Sequence, residues 1–74
     1  TLLDKMKEEV ILGLRKTEGI NTRNFSAKYE KNITEVFPVV EELFEKGLLK
    51  LRGENLFIPE DKLFLSNEVL INFI

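Results

Sequence analysis

The sequence contains no cysteine and no histidine. The first absence excludes a disulfide framework and is compatible with a reducing compartment, so a cytoplasmic location is the expectation. Together the two absences remove most metal-ligating, nucleophilic and acid–base chemistry from the chain. No apolar run approaches the roughly 20 residues that span a bilayer, and no signal-peptide pattern opens the sequence. A basic excess is lacking as well: 11 Lys and Arg stand against 13 Asp and Glu, a net charge of −2. That balance argues against nucleic acid as the default partner. Repeats, linkers and low-complexity segments are missing, and proline occurs only at Pro38 and Pro59.

What is present suffices for one small domain over residues 1–74, of which 43% are hydrophobic and six are Phe. A core of this size contributes a net stability of only roughly 3–5 kcal/mol. The chain starts at Thr1 rather than Met, which suggests an excised piece of a longer protein.

The organising stretch is Pro38–Pro59, PVVEELFEKGLLKLRGENLFIP. Val40, Leu43 and Phe44 set an apolar stripe on a helix over Pro38–Lys46. Gly47 follows Lys46, where a left-handed residue closes a helix without a Cβ clash. Leu48, Leu49 and Leu51 predict a strand, Arg52-Gly53-Glu54-Asn55 a turn, and Leu56-Phe57-Ile58 the returning strand, ended by Pro59. Upstream, Leu3, Met6, Val10 and Leu14 share one face of a first helix over Thr1–Lys16, widened by Ile11. Gly13 costs that helix about 1 kcal/mol relative to Ala, which points to a close helix crossing there. Asn21 caps a second helix reaching Tyr29, with Ile20 and Phe25 spaced as a hydrophobic staple. Phe25 and Tyr29, four apart, share its buried face; Tyr29 reads as a core ring with its tip in water.

Asn32-Ile33-Thr34-Glu35 resembles a capping box. Pro38 removes an N–H and pushes Phe37 out of the α region, so a short helical turn at Ile33–Val36 should precede the main third helix; one kinked helix is the other possibility. Lys62–Ile74 reads as a final helix, with Val69, Leu70, Phe73 and Ile74 closing the core. A turn could also carry its opening Leu63-Phe64-Leu65. The fold class expected is α+β, mostly helical and winged-helix-like: three helices, a two-stranded hairpin wing and a C-terminal helix.

A winged helix commonly places its third helix in the DNA major groove. This third helix carries Glu41, Glu42 and Glu45 against Lys46 alone, and carboxylates repel phosphates where binding needs cations. Lys50 and Arg52 on the wing, with Arg23, Lys28 and Lys31 before it, are the scattered charges of a solvated surface. Glu41 and Glu42, adjacent on a helix, do not face each other and make no catalytic pair. No phosphate loop, catalytic triad or metal-ligand set is present.

Two stretches are more specific. Ile11-Leu12-Gly13-Leu14-Arg15, with Glu18-Gly19-Ile20 behind it, is the first. Glu42-Leu43-Phe44-Glu45-Lys46-Gly47-Leu48-Leu49, followed by Leu65-Ser66-Asn67-Glu68-Val69-Leu70, is the second. In this order and spacing they resemble the C-terminal domain of the oxygen-independent coproporphyrinogen III oxidases and their haem-chaperone relatives, which are radical S-adenosylmethionine proteins. The resemblance runs from about Lys5 to Ile74. One departure is visible: the family commonly has Thr, Pro and Gly ahead of the last helix, and Ile58-Pro59-Glu60-Asp61-Lys62 keeps only the Pro.

The resemblance implies a parent with a catalytic barrel, a 4Fe–4S cluster on a Cys-x3-Cys-x2-Cys motif, and bound S-adenosylmethionine. Oxidase members decarboxylate porphyrinogen propionates, a coproporphyrinogen dehydrogenase-like reaction; chaperone members bind haem. Those cysteines lie outside this chain, so it holds no cofactor and runs no catalysis alone. Its expected role is accessory: to pack on the barrel of the same parent and help shape the tetrapyrrole site. Arg15 is the candidate contact, able to pair bidentately with a propionate or a barrel carboxylate; local pairing with Glu18 or the helix C-terminus competes with that reading. Asn67 could hydrogen-bond across the domain seam or bond nearby backbone. The alternatives are a free-standing winged helix that binds DNA, and a protein-interaction module that sets its acidic third helix against a basic partner.

Overall fold

Thr1 opens the first helix: its hydroxyl accepts the Asp4 backbone N–H at 3.2 Å, satisfying one of the donors a helix start leaves free. Helix α1 covers Leu2–Leu14 and buries Met6, Val10 and Leu14. Leu2 and Leu3 stay exposed, so the buried stripe starts a turn later than the spacing predicts. All 74 residues are described by the computed structural model.

After α1 comes an element that periodicity did not predict, the two-residue strand β1, Ile20–Asn21. Helix α2 spans Thr22–Tyr29, α3 Ile33–Val36 and α4 Val39–Glu45. The wing is β2, Lys50–Arg52, and β3, Asn55–Phe57. The sheet is antiparallel in the order β1-β3-β2, with Ile20 opposite Leu56 and Leu51 opposite the same residue on the other side. It is therefore three-stranded, not the two-stranded hairpin expected. The order helix, strand, helices, hairpin is that of a winged helix, and the fold is α+β and mostly helical.

Pro38 splits the third helical region as the sequence predicts. Phe37 sits at φ −127°, ψ 80°, outside the α region, which the following proline ring disfavours. Helix α4 then closes through Gly47 at φ 76°. The Gly47 N–H bonds the Phe44 carbonyl at 3.1 Å and the Leu48 N–H the Leu43 carbonyl at 3.0 Å, the paired bonds of a Schellman motif. That closure occupies Leu48 and Leu49, so β2 begins only at Lys50; Leu49 is wholly buried.

The final helix expected over Lys62–Ile74 is broken into three parts. A 3-10 helix covers Glu60–Leu65, α5 covers Ser66–Leu70, and a second 3-10 turn covers Ile71–Phe73. The Asn72 amide donates to the Glu68 carbonyl at 2.9 Å and to the Val69 carbonyl at 3.1 Å. A side chain thus takes the acceptors that a continuing α ladder would use, and the backbone tightens. Phe73 is fully buried, edge-on to Phe37 with centroids 5.4 Å apart. Ile74, expected in the core, is exposed. No helix is long and apolar enough to cross a membrane.

Gly13 and Gly19 explain how β1 reaches the hairpin. A Cβ on Gly13 would lie 2.7 Å from the Ile20 Cβ; the close approach inferred at this residue is real, but its partner is a strand, not a helix. Gly19 has φ 79°, and a Cβ there would lie 2.7 Å from the Phe57 Cβ and closer still to the Leu56 carbonyl oxygen. Gly19→Ala therefore combines a left-handed backbone cost of about 1–2 kcal/mol with an overpacking cost of about 1–3 kcal/mol. Against a net stability of roughly 3–5 kcal/mol, we expect the G19A chain to be marginally stable, with a substantial unfolded fraction at 25 °C by circular dichroism. Gly13→Ala should also destabilise, by about 1–2 kcal/mol in urea titration, despite the better helix propensity of Ala; a gain in stability would contradict the packing described.

Candidate functional site

Two surfaces and one polar cluster stand out. The first surface is formed by the C-terminal run. Leu63, Phe64, Ile71 and Ile74 are all exposed, Phe64 at 79% and Ile74 at 82%. Arg15, the C-cap of α1, meets this run at Ile74: it lines a shallow depression of about 400 Å³ with Ile11, Leu12 and Ile74, and with the charged Asp4, Lys7 and Glu8. Its guanidinium makes no ion pair or hydrogen bond within the chain, so the local pairing with Glu18 does not form. Asn67, the second residue of α5, is exposed and its side chain makes no hydrogen bond. It does not share the depression with Arg15.

The second surface is a groove of about 640 Å³ between α2, α3–α4 and the wing. Phe44 and Leu51 line it and are 46% and 51% exposed. Phe44 was expected on the buried stripe of its helix, and Leu51 in the first strand of the wing. Phe44 lies one position beyond Leu43, which takes the buried slot; Leu51 sits on the open face of β2, whose three residues are all exposed. Three carboxylates, Glu41, Glu45 and Glu54, rim the groove with one cation, Arg23, which is 3.6 Å from Glu54. Lys46 pairs with Glu42 at 3.3 Å, and the Arg52 guanidinium stacks 4.7 Å over the Phe57 ring. The face that a DNA-binding winged helix would present to phosphates is thus acidic along α4.

The polar cluster was not found from sequence. One Glu9 carboxylate oxygen accepts from the Lys28 ammonium at 2.7 Å and from the Tyr29 hydroxyl at 3.0 Å. Tyr29 stacks on Phe25, centroids 4.8 Å apart, so its ring is packed as expected while its hydroxyl is tied to α1 rather than left in water. The hydrogen bond and negative charge of Glu9 hold the Lys28 pKa above the ordinary lysine range. Desolvation, then the Glu9 hydrogen bond, raises the Tyr29 pKa. Glu9 and Lys28 are 19 residues apart, and no local spacing rule links them. The cluster stitches α1 to α2.

No group of three or more Asp, Glu, His or Cys side chains converges to hold a metal. The 4Fe–4S cluster and S-adenosylmethionine implied by the family resemblance therefore find no ligand set in these residues. The geometry defines a small winged-helix-like domain. Residues 1–64 match the model of the HemN C-terminal domain, and the chain belongs to that family. Over 75 aligned residues it is 35% identical to the heme chaperone HemW of Bacillus subtilis (strain 168); the alignment takes in all of this chain and 20% of that protein. The chain thus spans about a fifth of the length of this curated relative. No solved structure matches it.

Because Lys28 and Tyr29 both have raised pKa values in the fold, their contribution is complete below the unfolded values. It is lost as pH rises through the folded ones, in the window above about pH 10. Glu9→Gln removes the charge behind the Lys28 shift. The melting-temperature gap between the wild-type chain and E9Q should be open at pH 8 and narrow as the pH rises above about 10; a gap that widens would contradict the cluster.

Proposed function

We propose that this chain is the C-terminal accessory domain of a longer, cytoplasmic radical S-adenosylmethionine protein of porphyrin or haem metabolism. It packs on the catalytic barrel of that parent and helps shape the tetrapyrrole site. The observation that carries the packing role is the exposed C-terminal run of Leu63, Phe64, Ile71 and Ile74. Burying a large apolar side chain contributes about 1.5–3 kcal/mol, so four such side chains rival the whole net stability of a domain this small. Such a run suits a surface that is covered in the full protein. Membership of the HemN C-terminal domain family supports the identity of the cover. The likeness to a protein named a heme chaperone favours a parent that handles haem over one that oxidises coproporphyrinogen.

Arg15 has the role of a seam contact in this reading. It is a cation with no ion pair within the chain, beside Ile74 at the end of the apolar run, and its fork would suit a barrel carboxylate or a tetrapyrrole propionate. Asn67 supplies a second, weaker hydrogen bond across the same seam.

The full-length parent, reconstituted anaerobically with iron and sulfide, provides the test. Haem binding and coproporphyrinogen decarboxylation are measured with and without residues 1–74. Haem binding without decarboxylation, reduced on deletion, is the expected result. If neither activity appears and no cluster forms, the reading fails. A milder probe is Phe64→Glu. Because Phe64 is exposed, the isolated chain should change by no more than about 0.5 kcal/mol, whereas the parent should become cleavable by protease at the domain seam. Equal protease resistance of F64E and wild-type parents would remove Phe64 from the interface.

A further inference from the structure

The groove between α4 and the wing is separate from the surface assigned to the barrel: none of Leu63, Phe64, Ile71 or Ile74 lines it. We propose that it is a docking site for a basic polypeptide segment of a second protein, one that presents a large apolar side chain flanked by Lys or Arg. This inference does not rest on the role proposed for the C-terminal run.

The floor and rim of the groove carry the argument. Phe44 from α4 and Leu51 from β2 meet across it, each about half exposed, and the volume of about 640 Å³ accommodates a large side chain with its backbone. An apolar anchor that enters between these two is removed from water on both faces. Around them stand Glu41 and Glu45, four residues apart on one face of α4. Neither is in an ion pair within the chain. Like charges at that spacing repel each other, and a cation set beside both relieves the repulsion. Glu54 on the opposite wall adds a third carboxylate, and the sole cation of the rim, Arg23, is already engaged with it. The rim thus selects a positive partner and repels an acidic or phosphate-bearing one. Complementary charge fixes the sign of the occupant, and the exposed pair Phe44 and Leu51 fixes its anchor.

The test uses the full-length parent and a fluorescein-labelled peptide with a central leucine flanked by lysines and arginines, followed by fluorescence anisotropy. The expected result is saturable binding that weakens about tenfold when Glu41→Gln and Glu45→Gln are combined. It should weaken again in high salt, and vanish when glutamates replace the lysines and arginines of the peptide. Phe44→Ala should weaken binding too, with a modest fall in melting temperature from its half-buried ring, whereas E41Q/E45Q should melt as the wild type does. Absence of saturable binding, or equal binding by the E41Q/E45Q variant, overturns the proposal. So does carbene footprinting that finds Phe44 and Leu51 already protected in the free parent, because the groove then belongs to the parent's own barrel or to a second copy. Haem binding by the E41Q/E45Q parent should be unchanged, so failure here is distinguishable from failure of the accessory role.

Discussion

The structure depends on a close backbone approach at Gly19. Its Cα packs against the Leu56 carbonyl and the Phe57 Cβ with no space for a side chain, and this lets Ile20 and Asn21 join the hairpin as a third strand. The consequences spread from there. The Thr22 N–H and hydroxyl both donate to the Glu54 carbonyl at 2.8 Å, and the Asn21 amide donates to the Asn55 side chain at 3.1 Å. The same Asn21 side chain accepts the Asn24 N–H at 2.9 Å and caps α2. One short strand therefore ties the start of α2 to the tip of the wing. Gly13 makes the matching concession on α1, where the Ile20 side chain fills the place of a Cβ.

That junction also sets where the surfaces lie. With α2 held to the wing tip, α2, α4 and the wing border one groove, which Phe44 and Leu51 both line. The C-terminal run packs elsewhere, inserting Phe73 against Phe37 and closing the core with Val69 and Leu70. A chain this short has too little volume to bury all its large apolar side chains. Which ones are left out is informative: they fall on the C-terminal run, on the groove and on α1, while the packed interior holds Met6, Val10, Leu14, Phe25 and Leu49 without a single buried polar residue.

Much of the secondary structure was legible in the sequence because its signals are local. Asn21 as cap, the break before Pro38, the closure through Gly47 and the turn at Gly53-Glu54 each depend on the intrinsic conformational preference of one or two residues, and each stands where those preferences put it. The final helix was misjudged because Asn72 competes for backbone acceptors, a choice that composition does not reveal. Leu3, Phe44 and Ile74 were misassigned to the core because a helical stripe has edges, and spacing alone does not say which edge a neighbour covers. Arg15 and Asn67 are both exposed, yet only Arg15 lines the depression that Ile74 shares, a distinction no motif contains.

The sequence by itself determined helices α1 to α4, the wing, the family signature around Gly13-Leu14-Arg15 and Leu65-Ser66-Asn67, and the lack of cysteine and histidine. These follow from residue identity and short-range spacing. Only the tertiary structure decided that Ile20-Asn21 is a strand, that Glu9 bridges Lys28 and Tyr29, and that Phe44 and Leu51 form the floor of an acidic groove. Each of these joins residues far apart in the chain, and their meeting depends on backbone approaches at Gly13 and Gly19 whose partners cannot be read from either glycine alone.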